Sequence, residues 1–348
     1  MRTATIKKNS EGEMRFLATA TSIALVLVFT IIAASAYLRL DQAGLGCDDW
    51  PACYGLQLAA PGAAVIQTVP KQSLVVVSVR ITHRLAAAGI GLLIATIAVI
   101  CFRSRRRWPK GMAIAAVLVA LTLFLAVLGR ATPGSGLPAV TLGNLLGGMA
   151  MLALLWWLRL RTAQREHVLC AGDRGLAFWA WIGLAILTLQ ISLGAMVSAA
   201  YAAASCTTVP DCHGIWWSAD WTFAAFNPWW EVSIPAGGAW QSDPTRQALH
   251  MGHRLGALVA AGCLSWLALL LLRRSAGGSV LGLTLSGLLL FQVALGIAAV
   301  HFQLGLLLVL AHNTIAALLV LAVVSAIFYS RPAEVASVSA ACHMVTSK

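Results

Sequence analysis

An internal repeat constrains the fold of this sequence more than any other feature. A C-x5-C motif, with Pro two residues before its second Cys and Gly two residues after it, occurs at Cys47 to Cys53 and again at Cys206 to Cys212. A long apolar segment containing His-Arg-Leu follows each copy, and its imidazoles are His83 and His253. A repeat that extends through most of a chain marks one structural unit used twice. We therefore expect two halves with the same order of elements.

The segments around these motifs are apolar enough to cross a membrane. The chain is 59% hydrophobic and only 10% charged, with a mean hydropathy of +0.83. A soluble domain could not keep so much apolar surface from water, so the sequence predicts an all-α membrane protein. The first segment has no small-residue cleavage site, and we interpret it as a retained anchor. The predicted spans are at about 17–38, 73–101, 111–129, 139–158, 175–198, 247–271, 279–300 and 307–329.

The distribution of basic residues indicates the topology. Most of the 24 Lys and Arg residues lie before the first span, in the loops after spans 2, 4 and 6, and after the last span. Cytoplasmic segments carry this excess, so both termini are predicted to be cytoplasmic and both C-x5-C loops to lie outside. The net charge of +12 is therefore interpreted as a topology signal, with the lipid bilayer as the partner and no nucleic acid.

The repeat also predicts the domain organisation. Four spans in each half give both halves the same orientation, which is typical of parallel repeats related by an axis along the membrane normal. We predict two four-helix bundles, residues 1–165 and 166–348, joined by a basic linker at about 159–174.

Histidines within the spans are the candidate site residues, because titratable groups are costly in a bilayer and mark functional sites. His253 and His312 lie about six residues, roughly 9 Å, from the outer ends of spans 6 and 8. Two imidazoles at matched depth on facing helices are what axial ligation of a heme iron requires. For a single histidine such as His83, an interhelical hydrogen bond is the alternative. His250 shares a helix face with His253 and is a partner, a proton carrier or a cap.

Four arginines are candidates for binding the propionates of a heme. Arg84 and Arg254 follow the repeated histidines and point about 100° away from them. They either neutralise propionates or extend toward the membrane interface. Arg39 and Arg130, near the outer ends of spans 1 and 3, are better placed for propionates at the outer surface.

The four cysteines of the C-x5-C motifs lie in loops predicted to face an oxidising compartment. We predict the disulfides Cys47–Cys53 and Cys206–Cys212 as staples of these loops. A redox relay, metal capture or substrate delivery is the alternative role of each pair.

These motifs together resemble the heme A synthase family, and the likeness covers all eight spans. The family implies two four-helix bundles in a pseudo-twofold arrangement, one with a permanent heme b and one that binds heme O. A ring methyl of heme O is oxidised through an alcohol to the formyl group of heme A, which is destined for cytochrome oxidase. Expected partners are an external electron donor, a heme O synthase and cytochrome oxidase assembly components. The matching residues are Arg39, Ala43-Gly44-Leu45-Gly46-Cys47, Trp50-Pro51, Cys53, Gly55, both His-Arg pairs and His312-Asn313.

The resemblance assigns the two hemes to different halves. His83, His253 and His312 match three of the family's four histidines, so heme b is expected between His253 and His312. The fourth histidine is replaced by Gly143 or Asn144, depending on the alignment. The substrate site would then have His83 as its one iron ligand, which suits a heme that must leave, and Asn144 would offer a hydrogen bond or a bound water.

A second departure from the family concerns proton transfer. The family's acidic residue one helical turn before the first histidine is replaced by Arg80. An arginine cannot act as a general base, because its pKa stays above ~12. The alternative function is therefore a non-catalytic membrane b-type cytochrome that transfers electrons or handles heme. A transporter is disfavoured, because these histidines lie too near the outer face.

Overall fold

The computed structural model describes residues 2–45, 50, 53–55, 73–106, 108–132, 135–162, 173–217, 223–232, 243–274 and 276–331. Eight of its helices are long and apolar enough to cross a membrane, and the described residues contain no β-strand. The predicted all-α fold with eight spans is confirmed. The helices are α1 (Arg2–Gln42), α2 (Leu74–Arg103), α3 (Pro109–Ala131), α4 (Pro138–Thr162), α5 (Arg174–Ala199), α6 (Pro244–Leu272), α7 (Ala276–His301) and α8 (Leu306–Tyr329).

Local sequence explains where the helices of the second half begin. Asp173 caps α5 by accepting a hydrogen bond from the backbone N–H of Leu176. Asp243 caps α6 in the same way through the N–H of Arg246, and Pro244 occupies the first turn. An Asp cap satisfies an otherwise unpaired N–H, and Pro has the backbone angle that a first turn needs. α6 therefore begins three residues before the predicted span.

The glycine that follows each C-x5-C motif is required by the backbone. Gly55 has φ +78° and Gly214 has φ +83°. Glycine adopts this left-handed conformation without a steric cost, whereas side chains with a Cβ rarely do. The backbone conformation at the end of each cysteine motif therefore favours glycine.

Each half forms a closed ring of four helices. In the first half α1 packs on α2, α2 on α3, α3 on α4 and α4 on α1. The helices α5 to α8 pack on one another in the same cyclic order. Between the halves, α4 contacts α5 and α8, and α1 contacts α8. This pairing is that of two four-helix bundles, while their symmetry relation and the domain boundary remain predictions.

Polar contacts join the two halves at both ends of the bundle. The Trp156 indole donates to the hydroxyl of Ser325 over 2.8 Å, and this bond joins α4 to α8. At the end that carries the cysteine motifs, called here the cysteine-loop end, the Arg39 guanidinium donates to the hydroxyl of Ser198 over 3.1 Å. Interhelical hydrogen bonds in membranes contribute about 0.6 kcal/mol on average, so close apolar packing supplies most of the stability.

The long loop of the second half also reaches the first half. The backbone N–H of Ala139 donates to the carbonyl of Pro228 over 2.8 Å, and that of Val232 donates to the carbonyl of Gly136 over 3.2 Å. These bonds hold the segment around residue 230 on the turn between α3 and α4. The second half therefore covers part of the first at the cysteine-loop end.

Candidate functional site

A cavity of about 430 Å³ lies inside the second half and extends toward α1 and α4. Its size is within the range of small-molecule and cofactor sites. Its walls are mainly apolar, and a few polar side chains converge on it, which is the usual character of such a site. The polar side chains that line it include Gln190, Ser198, His250, His253, Arg254, Gln292, His312 and Asn313.

The fold brings His253 and His312 together across this cavity. They lie on α6 and α8, which are diagonal in the bundle because each packs on α5 and α7. Their ring centroids are 6.4 Å apart, and the ring planes make an angle of 71°. Two imidazoles on opposite sides of one metal would have centroids about 6.5 Å apart, given a metal–nitrogen bond of about 2.1 Å and ring bonds near 1.33 Å. The measured separation fits a metal held between the two rings.

The number of protein ligands at this site distinguishes a bare metal ion from a metal held in a porphyrin. No cluster of three or more His, Cys, Asp or Glu side chains that could hold a metal ion occurs among the described residues. A bare zinc ion normally takes three or four protein ligands, whereas a porphyrin supplies four nitrogens and needs only axial ones. The pair of His253 and His312 therefore fits a heme better than a bare metal ion.

Two glutamines not identified from the sequence contact these imidazoles. The amide nitrogen of Gln190 on α5 lies 3.0 Å from Nδ1 of His253 and donates to the His253 carbonyl over 2.9 Å. The amide nitrogen of Gln292 on α7 lies 3.0 Å from Nε2 of His312. Each histidine thus has an amide partner on the preceding helix of the chain. The sequence signal is an amide side chain in the middle of an apolar span, which is costly without a partner.

Glycines one turn after these amides leave room for the rings. A Cβ built at Gly194 would lie 2.9 Å from Cε1 of His253, and one at Gly296 would lie 3.2 Å from Cε1 of His312. Ordinary carbon contacts are at about 3.5–4.0 Å, so a side chain at either position would press on an imidazole. The pattern Gln-x3-Gly therefore supplies both a polar partner and a space for each histidine.

Several buried polar atoms at this cavity have no hydrogen-bond partner. They are Oε1 of Gln190, Oε1 of Gln292 and Nδ1 of His312. Buried polar atoms without a partner are rare in native proteins and call for an explanation such as a bound ligand or water. Their concentration beside the two imidazoles supports a polar or metal-containing occupant.

Arg254 holds the second cysteine loop. Its guanidinium donates to the carbonyl oxygens of Cys206 over 3.0 Å, Thr208 over 2.7 Å and Asp211 over 2.6 Å. These contacts engage both terminal nitrogens of the guanidinium. The predicted role of Arg254 as a propionate ligand therefore competes with a structural role that the sequence could not indicate.

The cysteine loop packs directly on α6. The predicted disulfide between Cys206 and Cys212 is confirmed, and both residues pack on Met251. In the first half, Cys53 is also disulfide-bonded, and the predicted partner Cys47 lies outside the described residues. The second loop thus covers the α6 turn that precedes His253.

His250 contacts the backbone of the loop end instead of His253. Its side chain is 5% exposed, and Nδ1 lies 3.1 Å from the carbonyl oxygen of Ala202. Among the three roles considered for this residue, the contact favours a cap that joins α6 to the segment after α5. His250 also lines the cavity, one turn closer to the cysteine-loop end than His253.

A polar and aromatic cluster lies between the halves near the cavity. Tyr54 is 1% exposed, and its ring contacts those of Trp50 at 5.3 Å and Tyr201 at 5.6 Å. Burial raises the pKa of Tyr54, with a further contribution from Tyr201, and burial also raises the pKa of Tyr201. Both phenols therefore stay neutral at physiological pH. Arg39 acts on Tyr54 electrostatically and is bonded to the cavity-lining Ser198.

The predicted residues of the first half are not joined into one site. His83 is half-buried on α2, whereas Arg84 and Arg130 are exposed. No hydrogen bond, ion pair or ring contact links these three residues in the part of the chain that the structure describes. Arg80 is exposed and interacts electrostatically with Asp41 at the end of α1.

Side chains of α3 and its end occupy the region where the fourth histidine is missing. The Asn144 amide donates to the hydroxyl of Thr132 over 2.8 Å. A Cβ at Gly143 would lie 2.7 Å from Cδ2 of Leu128. A leucine therefore packs against the position that the repeat aligns with the missing imidazole, and the nearby amide is bonded to a hydroxyl.

Comparisons with known proteins match nearly the whole chain. The family model COX15-CtaA, described as cytochrome oxidase assembly protein, matches residues 18–324. A heme A synthase from Shewanella oneidensis is 36% identical over 318 residues, which cover 87% of this chain and 93% of that protein. A protoheme IX farnesyltransferase from Haloarcula marismortui is 30% identical over 144 residues, 40% of this chain and 28% of that protein.

Proposed function

The chain belongs to the COX15-CtaA family, which includes heme A synthase, and we propose that it oxidises the ring methyl of heme O to the formyl group of heme A. It is an integral membrane protein and an enzyme of heme A biosynthesis. The similarity to a heme A synthase covers both halves of the chain, which favours this activity over that of a non-catalytic membrane cytochrome.

A resident heme b is proposed in the second half. His253 and His312 would hold its iron, and the observation that supports this is their 6.4 Å ring separation across a cavity with unpartnered polar atoms. Such a heme supplies one-electron transfer when bound. The protein's own part is to orient the imidazoles, exclude water with apolar walls and place Arg39 near the cavity for a propionate.

The substrate site is proposed in the first half. His83 would ligate the iron of heme O from α2, and Arg84 and Arg130 would neutralise its propionates near the cysteine-loop end. Asn144 would place an amide where the family has its fourth histidine. The methyl group would be oxidised first to an alcohol and then to the formyl group. Each step removes two electrons from the substrate, and dioxygen, reduced with two further electrons from the external donor, would be the oxidant and yield water. Arg80 interacts electrostatically with Asp41, and an arginine does not serve as a general base.

The orientation and partners follow from the charge distribution and the chemistry. We infer that both termini are cytoplasmic, that the cysteine loops lie outside, and that the membrane is a bacterial cytoplasmic membrane. A heme O synthase would supply the substrate, and the partial similarity to a protein named protoheme IX farnesyltransferase supports such a partner. Cytochrome oxidase assembly components would receive the product, and an external electron donor completes the system.

Co-expression with a heme O synthase tests this function. Extracted hemes are separated by chromatography and identified by mass. We expect heme A or its alcohol precursor with the wild-type chain. The His83→Ala variant is expected to form neither product while its b-type spectrum persists. Heme b alone, with heme O present in the same membranes, would instead support the non-catalytic cytochrome, and unchanged product in His83→Ala would refute the substrate-site assignment.

A further inference from the structure

We propose that Gln190 and Gln292 are positioning residues that orient the imidazoles of His253 and His312 and set which ring nitrogen remains for a metal. The proposal rests on the proposed function for the identity of that metal, a heme iron. By this proposal the second half differs from the first in its two amides as well as in its pair of histidines.

The two contacts have the same construction. Gln190 lies on α5 and contacts the histidine of α6, while Gln292 lies on α7 and contacts the histidine of α8. In both helices a glycine follows four residues later and faces the same ring. An amide in an apolar span is costly unless it is hydrogen-bonded. Two independent occurrences of one arrangement around one cavity indicate a shared role.

Imidazole chemistry explains why an amide suits this role. A neutral imidazole has one N–H donor and one bare nitrogen, and a metal binds the bare nitrogen. The other nitrogen then carries the proton, and its partner orients the ring and raises its basicity as a ligand. An amide can serve a ring nitrogen in either state, because a half-turn of its terminal torsion exchanges its donor and acceptor ends.

The two amides contact different nitrogens. The amide nitrogen of Gln190 lies 3.0 Å from Nδ1 of His253 and donates to the His253 carbonyl. A metal on Nε2 requires the proton on Nδ1, so on metal binding the amide would turn to present Oε1 to Nδ1–H and give up its bond to the carbonyl. This contact leaves Nε2 of His253 for the cavity. Gln292 faces Nε2 of His312, which leaves the buried Nδ1 as the ring nitrogen without a protein partner. The amides thereby hold the rings at their interplanar angle of 71°.

The backbone around Gln190 is shaped to admit its side chain. A Cβ at Gly256 would lie 2.4 Å from Oε1 of Gln190. Any other residue at this position of α6 would therefore collide with the amide. The glycine lies three residues after His253, so one face of α6 presents both the imidazole and the space for its partner.

The first half has apolar residues at the matching positions. The segment Phe291-Gln292 with Gly296 in α7 corresponds to Phe124-Leu125 with Gly129 in α3. By the spacing of the cysteine motifs, Gln190 corresponds to Ile31 in α1. Leu125 packs into α4, because a Cβ at Gly147 would lie 2.6 Å from its Cδ2. Amide positioning is thus specific to the half that has the histidine pair.

The reduction potential of the bound b-type heme tests the proposal. In Gln190→Leu and Gln292→Leu, loss of the amide lowers the basicity of the imidazole, so the ferric state is less stabilised and the potential rises. We expect about a tenfold change in the oxidation equilibrium, which is ~59 mV for a one-electron couple. The low-spin ferric electron paramagnetic resonance signal should shift as the ring planes rotate.

Glutamate variants separate positioning from a structural role. Gln190→Glu and Gln292→Glu keep an acceptor oxygen, so their potential should stay at or below the wild-type value. Loss of packing alone would move the Leu and Glu variants in the same direction. If a Leu variant does not accumulate heme, the Glu variant decides: a bound heme with no rise in potential supports the proposal, and a rise refutes it.

Matched controls lie on the same helices. Thr188→Val on α5 and Thr284→Val on α7 remove exposed hydroxyls that bond only within their own helices, and both should keep the wild-type potential. Wild-type potential and resonance signal in the Leu variants would overturn the proposal while leaving the heme site intact. A wild-type protein without bis-histidine heme would instead refute the proposed function and this inference with it.

Discussion

The glycines that face the two imidazoles provide a graded test of the histidine site. A methyl group at Gly194 would lie 2.9 Å from the His253 ring, and one at Gly296 would lie 3.2 Å from the His312 ring. Gly262 on α6 and Gly287 on α7 have no atom within 4 Å of the built Cβ. Replacement of each by Ala adds the same methyl group, so the four variants differ mainly in what that methyl meets.

The expected magnitudes follow from two opposing contributions. Ala stabilises a helix interior by about 0.8–1.0 kcal/mol relative to Gly, and all four variants share this gain. Overpacking in a well-filled interior costs typically 1–3 kcal/mol. At Gly194 the neighbouring imidazole has to move, so this cost falls on heme binding and corresponds to roughly a 5- to 150-fold loss of affinity. At Gly296 a shift of a few tenths of an ångström suffices, so the loss should be smaller.

The assay is the ratio of b-type heme to protein in purified detergent preparations, measured together with the thermal unfolding midpoint. Heme occupancy should equal that of the wild type in Gly262→Ala and Gly287→Ala. It should be lower in Gly296→Ala and lowest in Gly194→Ala. The apoprotein midpoint should not fall in the two controls. Equal heme occupancy in Gly194→Ala and Gly262→Ala would refute the assignment of His253 as a ligand at this position.

Three further predictions concern the site and its surroundings. His253→Ala and His312→Ala should each remove the bis-imidazole b-type spectrum, and a retained spectrum in either variant would exclude that residue as a ligand. Arg254→Ala should loosen the second cysteine loop, because hydrogen bonds from a charged group contribute about 1.5–3 kcal/mol each. Cys206 and Cys212 should then be reduced and alkylated faster than in the wild type, and wild-type rates would contradict this prediction. Burial raises the pKa of Tyr54 in the folded protein, so the phenol ionises at a lower pH in the unfolded protein than in the folded one. The free energy of unfolding should therefore fall as the pH rises above ~10. Tyr54→Phe should reduce this alkaline loss of the thermal midpoint, and an unchanged pH profile would contradict it.

The sequence predicted the helices and the histidine pair because both depend on strong local signals. Apolar segments of membrane length and intramembrane histidines can be recognised without tertiary information. The cyclic order of helices then places α6 and α8 diagonally, so His253 and His312 meet in the bundle. The predicted start of α6 was three residues late, because a cap by Asp243 and the first-turn Pro244 extend the helix into polar sequence.

The amides and the role of Arg254 could not be predicted in this way. Gln190 and Gln292 lie in strongly apolar runs, where one amide hardly changes the average hydropathy. Their meaning depends on which ring lies opposite, and that is set by packing between helices. Arg254 has a long side chain that reaches the loop carbonyls of residues more than 40 positions earlier. Sequence spacing alone fixes only the direction in which such a side chain leaves the helix.

The two halves share one plan but differ in what fills their centres. In the second half the histidine of α8 faces a cavity and is held by Gln292. At the corresponding positions the first half has Gly143 and Leu125, and leucine side chains pack against Gly143 and Gly147 of α4. A group held by two imidazoles and two amides dissociates slowly, because each contact has to be broken before it leaves. A group held by His83 alone, among apolar side chains that pack without it, exchanges more readily. This difference in polar contacts is the physical basis for proposing a resident heme in the second half and a transient substrate in the first.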